Sequence, residues 1–203
     1  MIHKLQYYIG KGYNPYNNLA LEECFLDNLS YDACLLYLWQ NQKTVVIGRN
    51  QNAWQECKVE KLAADGGFLA RRPSGGGAVF HDLGNLNFTF LVNHQDYDVK
   101  RQLSVILKAV QSLGIEAQLS GRNDITCQGR KFSGNAFYRK GNNCYHHGTL
   151  LMNVDMDQMA HYLQVDIQKL QSKGVTSVRS RVMNLKEACP EITVAMLQES
   201  LLT

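Results

Sequence analysis

The chain has 203 residues, 45% apolar and 19% charged, with a formal net charge of +3. That suffices for one substantial domain burying roughly 70% of its extended-chain surface, with no need of disulfides or a structural metal. Its basic residues are scattered apart from Arg71–Arg72 and Arg179–Arg181, which argues against nucleic acid as a partner and for a local anionic ligand. No apolar run approaches the roughly 20 residues of a membrane span, and MIHKLQYYIG lacks the layout of a secretory signal. No membrane partner and a cytoplasmic location are therefore expected.

Lys4 to Ile9 reads as an opening strand, and NNLALEECFLDNL as a helix after Asn14 and Pro15. Leu35–Trp39 and Thr44–Ile47 read as two strands joined by the polar turn Gln40–Asn41–Gln42. Val59–Ala64 is a short amphipathic helix that Gly66–Gly67 stops before a strand at Phe68–Ala70. Beyond a glycine-rich segment, Asn85–Val92 alternates polar and apolar residues like a half-buried strand. Val99–Leu113 is the clearest helix, with Leu103, Ile106, Leu107 and Val110 on one face and Gly114 closing it. Ile115–Leu119, Asp124–Cys127, Lys131–Tyr138 and Cys144–Asn153 suggest further strands. Met156–Leu163 and Thr193–Leu202 suggest helices. Without strict βα alternation, the order predicts an α+β fold with a mainly antiparallel or mixed central sheet flanked by helices.

Cys24, Cys34, Cys57, Cys127, Cys144 and Cys189 form no CxxC pair and no zinc-type spacing, so free thiols and no metal site are expected.

The strongest local signal is Arg71-Arg72-Pro73-Ser74-Gly75-Gly76-Gly77-Ala78-Val79-Phe80-His81-Asp82. Three glycines free the backbone for positive φ and close ligand approach, and successive amides in such a turn can cradle an anion beside the two arginines. A Walker loop would need Lys and then Ser or Thr where His81 and Asp82 stand. A dinucleotide fingerprint would lead into a helix, whereas this segment runs toward the strand-like NLNFTFLV. In Gly121-Arg122-Asn123-Asp124 and Gln128-Gly129-Arg130-Lys131-Phe132-Ser133-Gly134, small residues around Lys131 leave room for a ligand against the strand, within reach of the ammonium. Adjacent His146 and His147 point to opposite faces of a strand and cannot chelate one metal. One is expected to face the core or the site, the other solvent, with hydrogen bonding as their role.

RRPSGGGAVFHDLGNLNFTF, GRNDI, GRKFSGNAF and HHGTLLMNVD, in this order, resemble the lipoate–protein ligase family of the lipoate/biotin ligase and transferase superfamily. NPYNNLALEECFLDN and KGVTSVRSRVMNL are similar to it as well. The resemblance covers nearly the whole chain, read as a lipoate ligase catalytic domain over 1–203 with a biotin/lipoate ligase-like fold. It implies activation of lipoate by ATP, with its Mg2+, to lipoyl-adenylate. Transfer follows to a lysine of an apo lipoyl domain, on a 2-oxoacid dehydrogenase E2 subunit or the glycine-cleavage carrier protein.

Carried over by motif, Lys131 contacts both the lipoyl carboxylate and the α-phosphate. Arg72, Gly77, Ala78, Val79 and Phe80 bind the nucleotide, and Ser74, Gly75, Gly76 and His81 line the cleft for lipoyl and adenylate. Asn123 and Asp124 lie near the phosphates and Mg2+. The chain stops about where the family's smaller C-terminal accessory domain would begin. That leaves a truncated chain, a separate accessory domain or subunit, or a self-sufficient short form. Two alternatives share the resemblance. One is a cysteine-dependent octanoyl or lipoyl transferase using Cys127 or Cys144. The other is a non-catalytic lipoate- or adenylate-binding protein.

Overall fold

A computed structural model of the chain describes residues 1–121, 124–164 and 181–203. Seven strands form the larger sheet, in the order β1 (Lys4–Ile9), β2 (Ala33–Trp39), β6 (Asn85–Asn93), β10 (Asn143–Leu151), β9 (Arg130–Lys140), β8 (Asp124–Cys127) and β7 (Ala117–Ser120). Only β1 and β2 run parallel; the other pairings are antiparallel. A smaller sheet places β3 (Thr44–Ile47) between β4 (Phe68–Arg71), parallel to it, and β5 (Ala78–His81), antiparallel. The expected mixed α+β architecture is thus present.

Helices α4 (Val99–Ser112) and α6 (Val194–Leu202) pack together and cover one face of the large sheet, burying Leu103, Ile106 and Val110 with Leu38, Phe88 and Phe132. Asp98 caps α4 by accepting from the Arg101 amide, and Gly114 ends it at φ +79°. Helix α1 (Pro15–Asp27) lies on the opposite face over Tyr37, Trp39 and Leu91. Asn14 caps it through the amides of Tyr16 and Asn17, and Pro15 supplies the helical φ of the first turn. Helices α2 (Ala53–Glu56), α3 (Val59–Ala64) and α5 (Met156–Tyr162) pack with the small sheet around Val45, Ile47 and Phe80.

The expected turn at Gln40–Gln42 does join β2 to β3, carrying the chain from the large sheet to the small one. Two expectations need correction. The glycine-rich segment ends in a strand of its own, β5, and only a turn at Gly84 leads on to β6. A Cβ at Gly84 would stand 2.1 Å from the Asn153 carbonyl oxygen, so the chains touch backbone to backbone there. Finally, β6 is not half-buried: all nine of its residues are buried. Its polar face lies under α1, where Thr89 Oγ1 donates to Glu22 Oε1 at 2.7 Å and accepts from Trp39 Nε1 at 3.1 Å. The short helix α2 had no counterpart in the sequence reading.

Candidate functional site

Between the α1 face of the large sheet and the glycine-rich loop lies a cleft of about 760 Å³. Its floor crosses the sheet from Trp39 on β2, through Asn87 and Thr149, to Lys131 on β9 and Asp124 on β8. Gly76, Gly77, Ala78, Val79, Arg72 and His81 line the other side. Most of the loop residues and Lys131, predicted far apart in sequence, therefore border one space. Phe80 instead faces the small-sheet core, 1% exposed, and stacks toward Tyr162. Asn123 lies outside the described residues, as does most of KGVTSVRSRVMNL.

The loop is shaped by Arg72, which is 6% exposed. Its guanidinium donates to Ser74 Oγ (3.1 Å) and to the carbonyls of Val46 (3.1 Å), Gly75 (2.8 Å) and Gly77 (2.9 Å). Such a fork organises several carbonyls at once, a task the point charge of lysine cannot match. With those carbonyls turned inward, Gly75, Gly76 and Gly77 remain exposed. Gly76 has φ +98°, and a Cβ there would stand 2.7 Å from Arg72 Nη2. Burial pulls the Arg72 guanidinium below its usual range, against the opposing fields of Tyr145, Glu22 and Glu56. Arg71 is exposed and braces the preceding turn through the carbonyls of Gly48, Arg49 and Gln51.

A buried chain ties this loop to the sheet. Ser74 Oγ lies 2.8 Å from His147 Nε2, and His147 Nδ1 lies 2.9 Å from Glu22 Oε1. Ser74, His147 and Glu22 are 1%, 7% and 1% exposed. The spacing resembles a hydrolytic triad, but Arg72 Nε also donates to this closed-off hydroxyl, which makes the chain a brace for the loop. The sequence reading missed Glu22. Its signal is that Asn18 and Glu22 interrupt the buried stripe Pro15, Asn18, Glu22, Leu26 at helical spacing. The expectation that one histidine of the pair is solvated is also overturned. His146 is 0% exposed on the α4 side, hydrogen-bonded to Gln102 and Asn135. The sheet is covered on both faces, so both residues are buried, His147 at the cleft wall and His146 beneath α4. Burial holds His146 down to about 3, helped by His147.

At the polar end, Lys131 Nζ lies 2.7 Å from Asp124 Oδ1, and Arg181 Nη2 lies 3.4 Å from Asp124 Oδ2. Both Lys131 and Asp124 side chains are about one quarter exposed. A Cβ at Gly134 would stand 2.7 Å from Lys131 Nζ and 2.9 Å from its Cε, so the lysine lies directly on bare backbone. This pair offers a cation and a carboxylate at the cleft wall, opposite exposed backbone amides. The arrangement suits a ligand carrying adjacent anionic groups, and Asp124 suits a cation that accompanies them.

All six cysteines are free. Cys127 and Cys144 are buried, with thiols pushed up by burial, and neither lines the cleft. Among the described residues, no group of three or more His, Cys, Asp or Glu side chains could hold a metal, and no helix is long and apolar enough to cross a membrane.

Residues 14–203 match the profile of the lipoyl protein ligase A/B catalytic domain. A lipoate-protein ligase A from Psychrobacter cryohalolentis is 49% identical over 189 residues, which cover 93% of this chain and 56% of that protein. The chain spans about half the length of the curated relatives it matches. Among solved structures, P. falciparum LipL1 in complex with lipoate aligns with a TM-score of 0.86 at 34% identity, covering 98% of this chain and 60% of that one. A lipoate-protein ligase A bound with ATP gives 0.82 at 27% identity, over 99% and 83% of the two chains. A chain from the structural analysis of an archaeal lipoylation system, a bipartite lipoate protein ligase and its E2 lipoyl domain from Thermoplasma acidophilum, gives 0.81 at 27% identity, over 100% and 81%. The chain belongs to the lipoyl protein ligase A/B catalytic domain family.

Proposed function

We propose that this chain activates lipoate with ATP and passes the lipoyl group to a lysine of an acceptor lipoyl domain. The observation that carries the proposal is the position of Lys131, whose ammonium borders the cleft beside Asp124 and across from the exposed Gly75–Gly77 turn. The relatives solved with lipoate and with ATP support the two small substrates, and the archaeal ligase described together with its E2 lipoyl domain supports the acceptor class.

In the first step a carboxylate oxygen of lipoate attacks the α-phosphorus of ATP, and pyrophosphate leaves. Two anions must approach each other, and the Lys131 ammonium offsets their repulsion by facing both. The glycine-rich amides receive the phosphates, while Arg72 holds those amides outward from inside the loop. Gly77, Ala78 and Val79 border the nucleotide there, with Phe80 anchoring their strand. Asp124 would hold the Mg2+ that accompanies the nucleotide, which supplies charge neutralisation. In the second step the uncharged ε-amine of the acceptor lysine attacks the lipoyl carbonyl, AMP leaves, and an amide forms. Lys131 then stabilises charge growing on the carbonyl and phosphate oxygens. Shielded thiols disfavour the cysteine-transferase alternative.

The test is to incubate the chain with lipoate and MgATP and follow lipoyl-adenylate by mass spectrometry together with pyrophosphate release. Both products are expected. Binding of the two ligands without either product would reduce the chain to a binding protein.

A further inference from the structure

Among the described residues that line the cleft, the side chains charged at neutral pH are Glu56, Arg72, Asp124, Lys131 and Arg181. Arg72 spends its guanidinium on the loop's own carbonyls. Asp124 is held by two cations, 2.7 Å from Lys131 Nζ and 3.4 Å from Arg181 Nη2. Those three carry a net positive charge and favour an anion. Glu56 stands on the other wall. A Cβ at Gly77 would lie 3.8 Å from Glu56 Oε2, so the carboxylate sits close beside the glycine turn.

The short helix α2 holds it there. Asn52 caps α2 by accepting from the Trp54 amide, and Arg71 braces the turn before it through the carbonyls of Gly48, Arg49 and Gln51. The Glu56 carbonyl accepts from the Gln164 amide at 2.9 Å, which ties the end of the helix to another segment of the cleft wall. Trp54, two residues before Glu56, is 73% exposed, an aromatic of the kind that anchors a partner's surface.

A carboxylate beside a turn that receives phosphates works against the approach of ATP, so its use lies with a cation. The second substrate of the proposed reaction brings one. A lysine ammonium in water gives up its proton at about pH 10.4, and only the neutral amine attacks a carbonyl. Some group must therefore take that proton near neutral pH. His81 and His147 are buried, and His147 is committed to Ser74 and Glu22. Lys131 and Arg181 beside Asp124 would repel an incoming ammonium. Glu56 is the remaining base among these groups.

We propose that the Glu56 carboxylate receives the ammonium of the acceptor lysine and takes its proton before the amine attacks lipoyl-adenylate. This rests on the ligase function proposed above. One proton passes from the nitrogen to Glu56, which later returns it to water. The C–N bond then forms as the C–O bond to AMP breaks, and the second proton leaves the nitrogen for the AMP phosphate or water. Once the acceptor domain shuts out solvent, the neutral acid–amine pair is penalised less than the ion pair, which brings the proton transfer within reach.

The test supplies lipoyl-adenylate made chemically, bypassing the first step, and follows transfer to an apo lipoyl domain at pH 7 and pH 9. Wild type, Glu56→Gln and Glu56→Asp are compared, with thermal unfolding as a check that each is folded. Glu56→Gln is expected to slow transfer about 10²-fold at pH 7, the usual size of a general-base effect. That loss should shrink about tenfold at pH 9, where more of the acceptor lysine is already neutral. Glu56→Asp keeps a carboxylate and should keep the shallow pH dependence of the wild type at a lower rate. Equal transfer by wild type and Glu56→Gln, or a loss of the same size at both pH values, overturns the proposal and leaves the ligase reading standing. A steep rise with pH in Glu56→Asp overturns it too, and decides the matter if Glu56→Gln does not fold. A Glu56→Gln loss confined to adenylate formation from lipoate and MgATP would give the carboxylate to the metal instead, which also overturns it. Failure of the wild-type chain to transfer from lipoyl-adenylate overturns both readings.

Discussion

Lys131 Nζ and the Asp124 carboxylate stand 2.7 Å apart at the cleft wall, with the lysine stem resting on the bare backbone of Gly134. Arg181 reaches the other oxygen of the same carboxylate. Asp124 thus holds the ammonium in the cleft, and Gly134 leaves it the room to lie there.

That room can be removed without touching the lysine. In Gly134→Ala the new Cβ would meet the Lys131 side chain at 2.7–2.9 Å and push it aside. Adenylate formation is expected to fall by about tenfold or more, because displacing a reacting group by about 1 Å is enough for such losses. The melting temperature should move little, since the obstructed atoms end a flexible side chain. Pyrophosphate release and thermal unfolding of the same sample check both halves.

Arg72 makes a different prediction, because its donors are spent on the loop's own carbonyls. Arg72→Lys keeps the charge but loses the fork. It is expected to cost about 1–3 kcal/mol of stability and to raise the KM for ATP as the turn loses its shape. Denaturant titration and ATP-dependent rates measure the two effects.

Glu22 anchors His147, which in turn anchors Ser74. Glu22→Gln weakens a charge-assisted bond inside the fold and should destabilise the chain by about 1–2 kcal/mol. Loss of stability together with slower adenylation, read by unfolding and by product formation, is the expected pattern.

Acid should weaken the fold through His81 and His146. Burial holds both rings down to about 3, with Arg72 and His147 adding to it at His81 and His147 at His146. The unfolded chain takes up protons near the ordinary 6.5, so stability is full above that value and drains away as pH falls toward 3. Each ring contributes a slope on the order of 1.4 kcal/mol per pH unit inside that window. Urea unfolding at pH 8, 6.5 and 5 should show the decline, and His81→Asn should make it shallower.

Most helices and strands were legible because their periodicity and caps are local properties: Asp98 before α4, Gly114 after it, Asn14 and Pro15 at α1. The loop and Lys131 were legible as motifs, since glycine runs and lysines between small residues leave a written trace. What stayed hidden depends on long-range contact. Pattern alone made Asn87 and Thr89 look like a solvated strand face, although α1 and the cleft cover them. One of His146 and His147 was assigned to water for the same reason. Nothing near Arg72 in sequence reveals that its guanidinium faces inward, because one of its acceptors, Val46, lies on another strand.

The most direct measurement is transfer of lipoate to an apo lipoyl domain by the wild-type chain and by Lys131→Ala, with and without ATP. ATP-dependent lipoylation that falls by about 10²–10³ in the variant is the predicted result. Equal transfer by the two proteins, or transfer by the wild type that needs no ATP, would contradict the role given to the Lys131 ammonium.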